Sequence, residues 1–150
     1  MPVTASGLFV ATFTGALGAP QTAVDLSLLT NRIAMFTNSI TPDFDAAGAG
    51  YGLGVFAANE VTGAGYTAGG TTVTGPTLTG ASGTMTFDLD DTTWAASTIS
   101  NARCALFYAD ALAGNNAICL INFGADYSTV AGAFTIQWPL SGMFAVDWTP

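Results

Sequence analysis

Thr84-Met85-Thr86-Phe87-Asp88-Leu89 alternates without a break: Met85, Phe87 and Leu89 fall on one face, Thr84, Thr86 and Asp88 on the other. A period of two marks a strand with one face against a core and one toward water. The same alternation recurs in Phe134-Thr135-Ile136-Gln137-Trp138 and in Phe144-Ala145-Val146-Asp147-Trp148. Three further segments are apolar at consecutive positions: Arg32 to Thr37, Arg103 to Ala109 and Ala117 to Phe123. Short runs of this kind suit strands buried on both faces. The loop carrying Gly114-Asn115-Asn116 joins the last two as an antiparallel hairpin. Thr71 to Thr79 is a weaker strand, and Gly75-Pro76 within it fits an edge or a bulge.

These segments predict an all-β fold, an antiparallel β-sandwich of about seven strands. At most one short N-terminal helix joins them, over residues 6–18. There Phe9, Val10, Phe13, Ala16 and Leu17 share a helical face, with Ser6 as cap and Gly18 as stop. Val55 to Val61 has room for a helical turn, and residues 38–51 and 63–70 read as loops. The reading is one domain over 1–150, with an N-terminal arm or helix at 1–25 and the sandwich at 26–150.

Charge is scarce. Arg32 and Arg103 are the only cations against ten carboxylates, for a net charge of −8, and charged residues make up 8% of the chain. Two cations cannot neutralise a phosphate track, so no nucleic-acid partner is expected. An anionic membrane surface is disfavoured for the same reason. No stretch reads as a signal peptide or a membrane-spanning helix, because Gly, Pro and Thr interrupt each uncharged run. With 22 Thr, much of the polar surface is neutral, and neutral surface costs less to desolvate than charged surface. Such a surface suits contact with protein partners.

Catalytic chemistry has few reagents here. Without His or Lys there is no Ser-His or Cys-His pair, no Schiff base and no phosphate-loop lysine. Cys104 and Cys119 sit in apolar runs and read as buried free thiols that act as small hydrophobes. Asp88, Asp90 and Asp91 cluster after a strand and are weak candidates for a metal site, with an acidic turn as the plainer reading. Trp94, Trp138 and Trp148 are the candidates for a sugar-stacking platform, although aromatics at strand positions are more often core. Tyr51, Tyr66 and Tyr127 stand in loops and are candidate interface anchors. The sequence calls for no cofactor and no catalytic residue.

A series of elements runs in fixed order along the chain. It begins with Arg32-Ile33-Ala34-Met35-Phe36-Thr37-Asn38 and Thr41-Pro42-Asp43. Asn59-Glu60-Val61-Thr62-Gly63 and Gly65-Tyr66-Thr67-Ala68-Gly69-Gly70 follow. Next come Phe87-Asp88-Leu89-Asp90-Asp91-Thr92-Thr93-Trp94, Ala105-Leu106-Phe107-Tyr108, Asn122-Phe123-Gly124 and Phe134-Thr135-Ile136-Gln137-Trp138. This series resembles a family of small structural proteins of tailed-bacteriophage virions, over about residues 26–148. The chain departs from the family's pattern in having Arg32 where a lysine is usual, and in its low charge. The resemblance implies a virion component without enzymatic activity, assembled in the bacterial host cytoplasm. It looks like a capsid decoration or cement protein on the outside of the head. Its implied partners are the major capsid protein and further copies of itself, a trimer if it sits on threefold axes. A neck, tail or head-fibre component is the near alternative, and a carbohydrate-binding surface module is an alternative of another class.

Overall fold

A computed structural model describes residues 2–149. It contains ten strands, one α-helix and one 3₁₀ turn, and every strand pairing is antiparallel. The all-β expectation is met, with more strands than the sequence suggested. In chain order the strands are β1 (Gly7–Leu8), β2 (Arg32–Phe36), β3 (Thr71–Thr72), β4 (Thr77–Ala81) and β5 (Thr84–Asp88). They continue with β6 (Thr92–Ser97), β7 (Ala102–Ala109), β8 (Asn116–Tyr127), β9 (Gly132–Ile136) and β10 (Phe144–Asp147). The 3₁₀ turn, Gly54–Ala57, starts one residue before the segment that had room for one and overlaps its first three residues.

The strands form three sheets, not two matched layers: β1-β8-β7-β2-β3, β10-β5-β4 and β6-β9. The five-stranded sheet is central, and its alternation explains the doubly apolar strands. Ile33 and Met35 of β2, with Ala105 and Phe107 of β7, point toward the two smaller sheets. Ala34 and Phe36, with Cys104, Leu106 and Tyr108, point the other way, onto Phe9, Ile40 and Phe56. Both faces are therefore dry, and neither side of these strands can carry a charge without a partner. One bulge interrupts the β7–β8 ladder between Phe107 and Tyr108. It places Ile118 and Cys119 in the same core cluster although they are neighbours in sequence.

The smaller sheets dock through aromatic rings. Phe87 of β5 stacks on Phe107 with centroids 5.1 Å apart and planes 18° apart. Phe134 of β9 lies tilted against Phe123 of β8, with centroids 6.1 Å apart, and edge-on to its own sheet partner Trp94 of β6. The acidic stretch before β6 hid that strand from the alternation test. Thr92, Trp94 and Ser97 face inward, but two small residues, Ala95 and Ala96, break the period between Trp94 and Ser97.

The helix differs from expectation. It covers Val10–Leu17, and its N-cap is Phe9, with no side-chain cap. Ser6 lies before β1, and its hydroxyl accepts a hydrogen bond from the Asn122 amide at 2.8 Å. The expected apolar face is only half used: Phe9 is buried, whereas Leu17 is 82% exposed. Thr12 is the buried helix residue, and its hydroxyl donates to the Ala117 carbonyl of β8. Within residues 2–25, β1 extends the central sheet and the helix rests against β8.

Cys104 and Cys119 are free and buried, as read from the sequence. Burial raises both thiols to about 12, because a thiolate would lose its hydration there. Alkylating reagent at pH 8 should therefore modify neither cysteine in the folded protein and both after denaturation. Intact-mass measurement reads this directly, and labelling of the folded chain would contradict the burial.

Candidate functional site

The densest polar cluster is built from the Asn59-to-Gly70 stretch and the edge of the central sheet. Asn59 takes a positive φ of 65°, and the chain beside it runs along β2: Thr37 donates to Asn59, and Val61 donates to Met35. This run holds Glu60, the single glutamate of the chain, beside three tyrosines. One carboxylate oxygen accepts from the Tyr51 hydroxyl at 2.7 Å. The other accepts from the Tyr66 hydroxyl at 2.8 Å and from the Gly69 amide at 2.7 Å. The Tyr66 oxygen in turn accepts from the Met35 amide of β2 at 2.9 Å.

Arg32 completes the cluster from the carbonyl side of Gly69. Its guanidinium donates to the Gly69 carbonyl at 3.0 Å and to the Gly70 carbonyl at 2.8 Å. Tyr108 donates to that Gly69 carbonyl at 2.8 Å and stacks on Tyr51, with centroids 4.8 Å apart. Gly69 is thus held by charge-assisted bonds on both sides, its N–H to the Glu60 anion and its carbonyl to the Arg32 cation. Gly70 has a φ of 69°, and a Cβ there would run into the Ile33 carbonyl. The loop can close onto β2 only with glycine at that position.

This cluster has the residue types of an acid–base site, yet its hydrogen-bonding groups are spent on one another. Burial, then the Glu60 carboxylate, raises the Tyr51 hydroxyl to about 12. Burial likewise raises Tyr66 and Tyr108 above the ordinary tyrosine range. The hydroxyls stay protonated and act as donors. What the arrangement does is pin a glycine-rich loop to the central sheet.

Two of the three candidate interface tyrosines, Tyr51 and Tyr66, stand in loops as expected, but with their hydroxyls taken up within the chain. Tyr51 and Tyr66 are partly buried, and their hydroxyls are bound to Glu60, so neither is a free loop anchor. They looked available because loop position suggests exposure, while their partner stands far from β2 in sequence. Tyr127 is not in a loop but ends β8; it is exposed and lies edge-on to Phe123, with centroids 6.2 Å apart. Both line a shallow cavity of about 380 Å³ with Ser128, Thr129, Thr135 and Gln137.

The three candidate metal carboxylates do not converge. Asp88 accepts from the Leu89 amide at 2.9 Å, and Asp91 accepts from the Trp138 amide at 3.0 Å. Asp90 is exposed beside Gly75. Among the described residues, no three His, Cys, Asp or Glu side chains are grouped to hold a metal ion. The acidic turn satisfies backbone amides instead. Millimolar calcium should leave the melting temperature unchanged, and Asp→Asn at 88, 90 or 91 should cost no more than about 1 to 2 kcal/mol. Thermal melts with calcium and with chelator test this, and a calcium-dependent rise abolished by those changes would restore the metal site.

The tryptophans do not share a platform. Trp94 is buried in the core between Tyr66 and Phe134. Trp138 is partly buried, and its indole donates to Thr92 at 3.3 Å. Trp148 lies past β10, 67% exposed, and no other tryptophan shares its groove. It borders an apolar groove of about 480 Å³ between helix and sheet, with Leu8, Phe13, Leu17, Met85 and Val146. None of those groove residues carries a charge. Compared with protein-family models, curated proteins and solved structures, the chain matches none.

Proposed function

We propose that the chain is a non-enzymatic structural protein of a tailed-phage virion, decorating and cementing the outside of the head. The observation that carries this reading is the fate of the reactive groups. Glu60, Arg32 and the tyrosines around them hold a loop, while apolar side chains are left at the surface. Leu17 and Trp148, at 82% and 67% exposure, flank a charge-free groove that water solvates poorly. Surface of this kind favours burial between subunits, where the work is done by contact area and by effective concentration. The family resemblance supplies the virion setting, and assembly in a bacterial cytoplasm suits the two free thiols. The proposed partners are the major capsid protein and further copies of the chain, as a trimer on threefold axes.

Quantitative mass spectrometry of purified particles tests the placement. A head decoration protein should appear in hundreds of copies, of the order of the major capsid protein, because every capsomer offers an equivalent site. A handful of copies would move it to the neck, tail or a head fibre. Absence from the particle would defeat the virion reading.

A further inference from the structure

The β4–β5 hairpin ends in an open edge. β4 pairs with β5 alone, at the edge of its sheet, and all five of its residues are exposed. The hairpin turn has positive φ at both Ser82 (51°) and Gly83 (79°), so the closing pair Ala81–Thr84 is the hydrogen-bonded one. Alternation along the ladder then turns the backbone of Thr77 and Thr79 toward β5, and that of Leu78 and Gly80 outward. Sheet edges are ordinarily blunted by a charge, a proline, a bulge or a covering element. Thr77-Leu78-Thr79-Gly80-Ala81 contains none of these.

Two further observations bear on what meets this edge. The cross-strand register aligns Phe144, Phe87 and Leu78 in one row of the inner face, and Val146, Met85 and Gly80 in the next. The first row begins in the core and runs off the edge at Leu78, which is 48% exposed. Gly80 has no reason within the chain to be glycine. Its φ is not positive, and a Cβ there would meet nothing within 4 Å. Glycine inside a strand weakens it and often marks the close approach of another backbone.

We propose that β4 is a homotypic pairing edge, taking β4 of a second copy antiparallel about Thr79. Leu78 and Gly80 are the outward positions, and reversal about Thr79 brings each opposite the other. Each exposed N–H then meets a carbonyl, and Leu78, the one large side chain, faces Gly80 of the partner subunit, where there is room for it. No charge lies on the strand, so no ion is desolvated. The net charge of −8 on each copy opposes pairing only at longer range, where salt screens it. The contact is twofold, so it joins copies in pairs and does not build a trimer. One strand edge is small beside the roughly 800 Å² per partner of a stable interface, which makes the free pair a weak one. This contact is distinct from the threefold association proposed above; it deepens only the reading that the chain associates with itself, and it holds or fails wherever the particle places the protein.

Cysteine scanning of the full chain tests the register. Position 79 pairs with itself at a non-hydrogen-bonded site, with Cα atoms about 4.5 Å apart, inside disulfide range. Residue 77 faces residue 81 of the partner subunit, so two copies of residue 77 stand about 13 Å apart. Under mild oxidation, Thr79→Cys should form disulfide-linked dimers at least about tenfold faster than Thr77→Cys, which shares its face and exposure. The rate should rise with salt, and adding Leu78→Lys should reduce it to the Thr77→Cys level. The native thiols are buried and do not compete. Equal rates for the two cysteines, no linkage at position 79, or a rate that falls with salt would each overturn the proposal. The purified chain suffices, so the outcome is separate from any count of copies in virions.

Discussion

Above about pH 10 the protein should lose its fold within one to two pH units, because several buried groups cannot ionise in place. Burial holds the thiols of Cys104 and Cys119 at about 12, three units above their ordinary 9.0. Burial also raises Tyr66 and Tyr108 above the ordinary tyrosine value of 10.0. A raised value means that the folded state keeps its proton while the unfolded chain releases it. The stability these groups contribute is fully present below pH 9 and is lost as pH rises toward their folded values. Each such proton tilts the balance by about 1.4 kcal/mol per pH unit, so four together give about 5 kcal/mol per unit. A domain of this size has only about 5 to 15 kcal/mol in total. Tyr51, partly exposed, adds less. Between about pH 5 and 9 the melting temperature should stay flat, since the chain has no histidine to titrate there. On the acid side, hydrogen bonds from Ser27 and Thr149 lower Asp25 and Asp147 below 3.8, so their stabilisation fades as pH falls through that region. Near-ultraviolet circular dichroism against pH measures the transition. A fold that survives pH 12, or one already lost at pH 8, would contradict this account.

The strands could be read because burial acts on them directly. At Thr84 to Leu89 the residues alternate, with Phe87 and Leu89 buried and Thr84, Thr86 and Asp88 only half-buried. In β2, β7 and β8, where both faces are dry, they do not. The elements that escaped notice depend on contacts distant in sequence. β1 is two residues long and exists because Leu120 and Cys119 offer it an edge. Val10 and Leu17 match a helical stripe, but the surface opposite them is an open groove.

The Glu60 cluster draws on residues 32, 51, 60, 66, 69 and 108, and no local period links them. Its trace in the sequence was chemical. A lone glutamate followed by a glycine-rich loop, in a chain this poor in charge, needs donors close by. The two tyrosines set aside as interface anchors were those donors. The Asn59-to-Gly63 and Gly65-to-Gly70 stretches thus have a structural role in this chain: they supply the glutamate, the tyrosine and the glycines that pin the loop to β2.

Replacing Phe87 by alanine should destabilise the protein by about 3 to 5 kcal/mol, the usual cost of removing a buried ring and leaving a cavity. Phe87 is wholly buried and is the ring through which β10-β5-β4 docks on the central sheet. It stacks on Phe107 at 5.1 Å and packs against Phe144 at 5.4 Å, so one truncation strips partners from both. Backbone bonds do not compensate, because the ladders join β5 to β4 and β10 and not to the central sheet. The three-stranded sheet should therefore loosen before the five-stranded one, with amide exchange accelerating over residues 77–88 and 144–147 first. Phe87→Leu keeps most of the volume and should cost under about 1.5 kcal/mol. Denaturant melts of the two variants give the difference, and exchange mapped by mass spectrometry gives its location. A loss below about 1 kcal/mol for the alanine variant would mean that the ring does not bear the sheet–sheet contact. Exchange accelerating evenly across all three sheets would mean that they unfold as one unit, with no weaker face at β4.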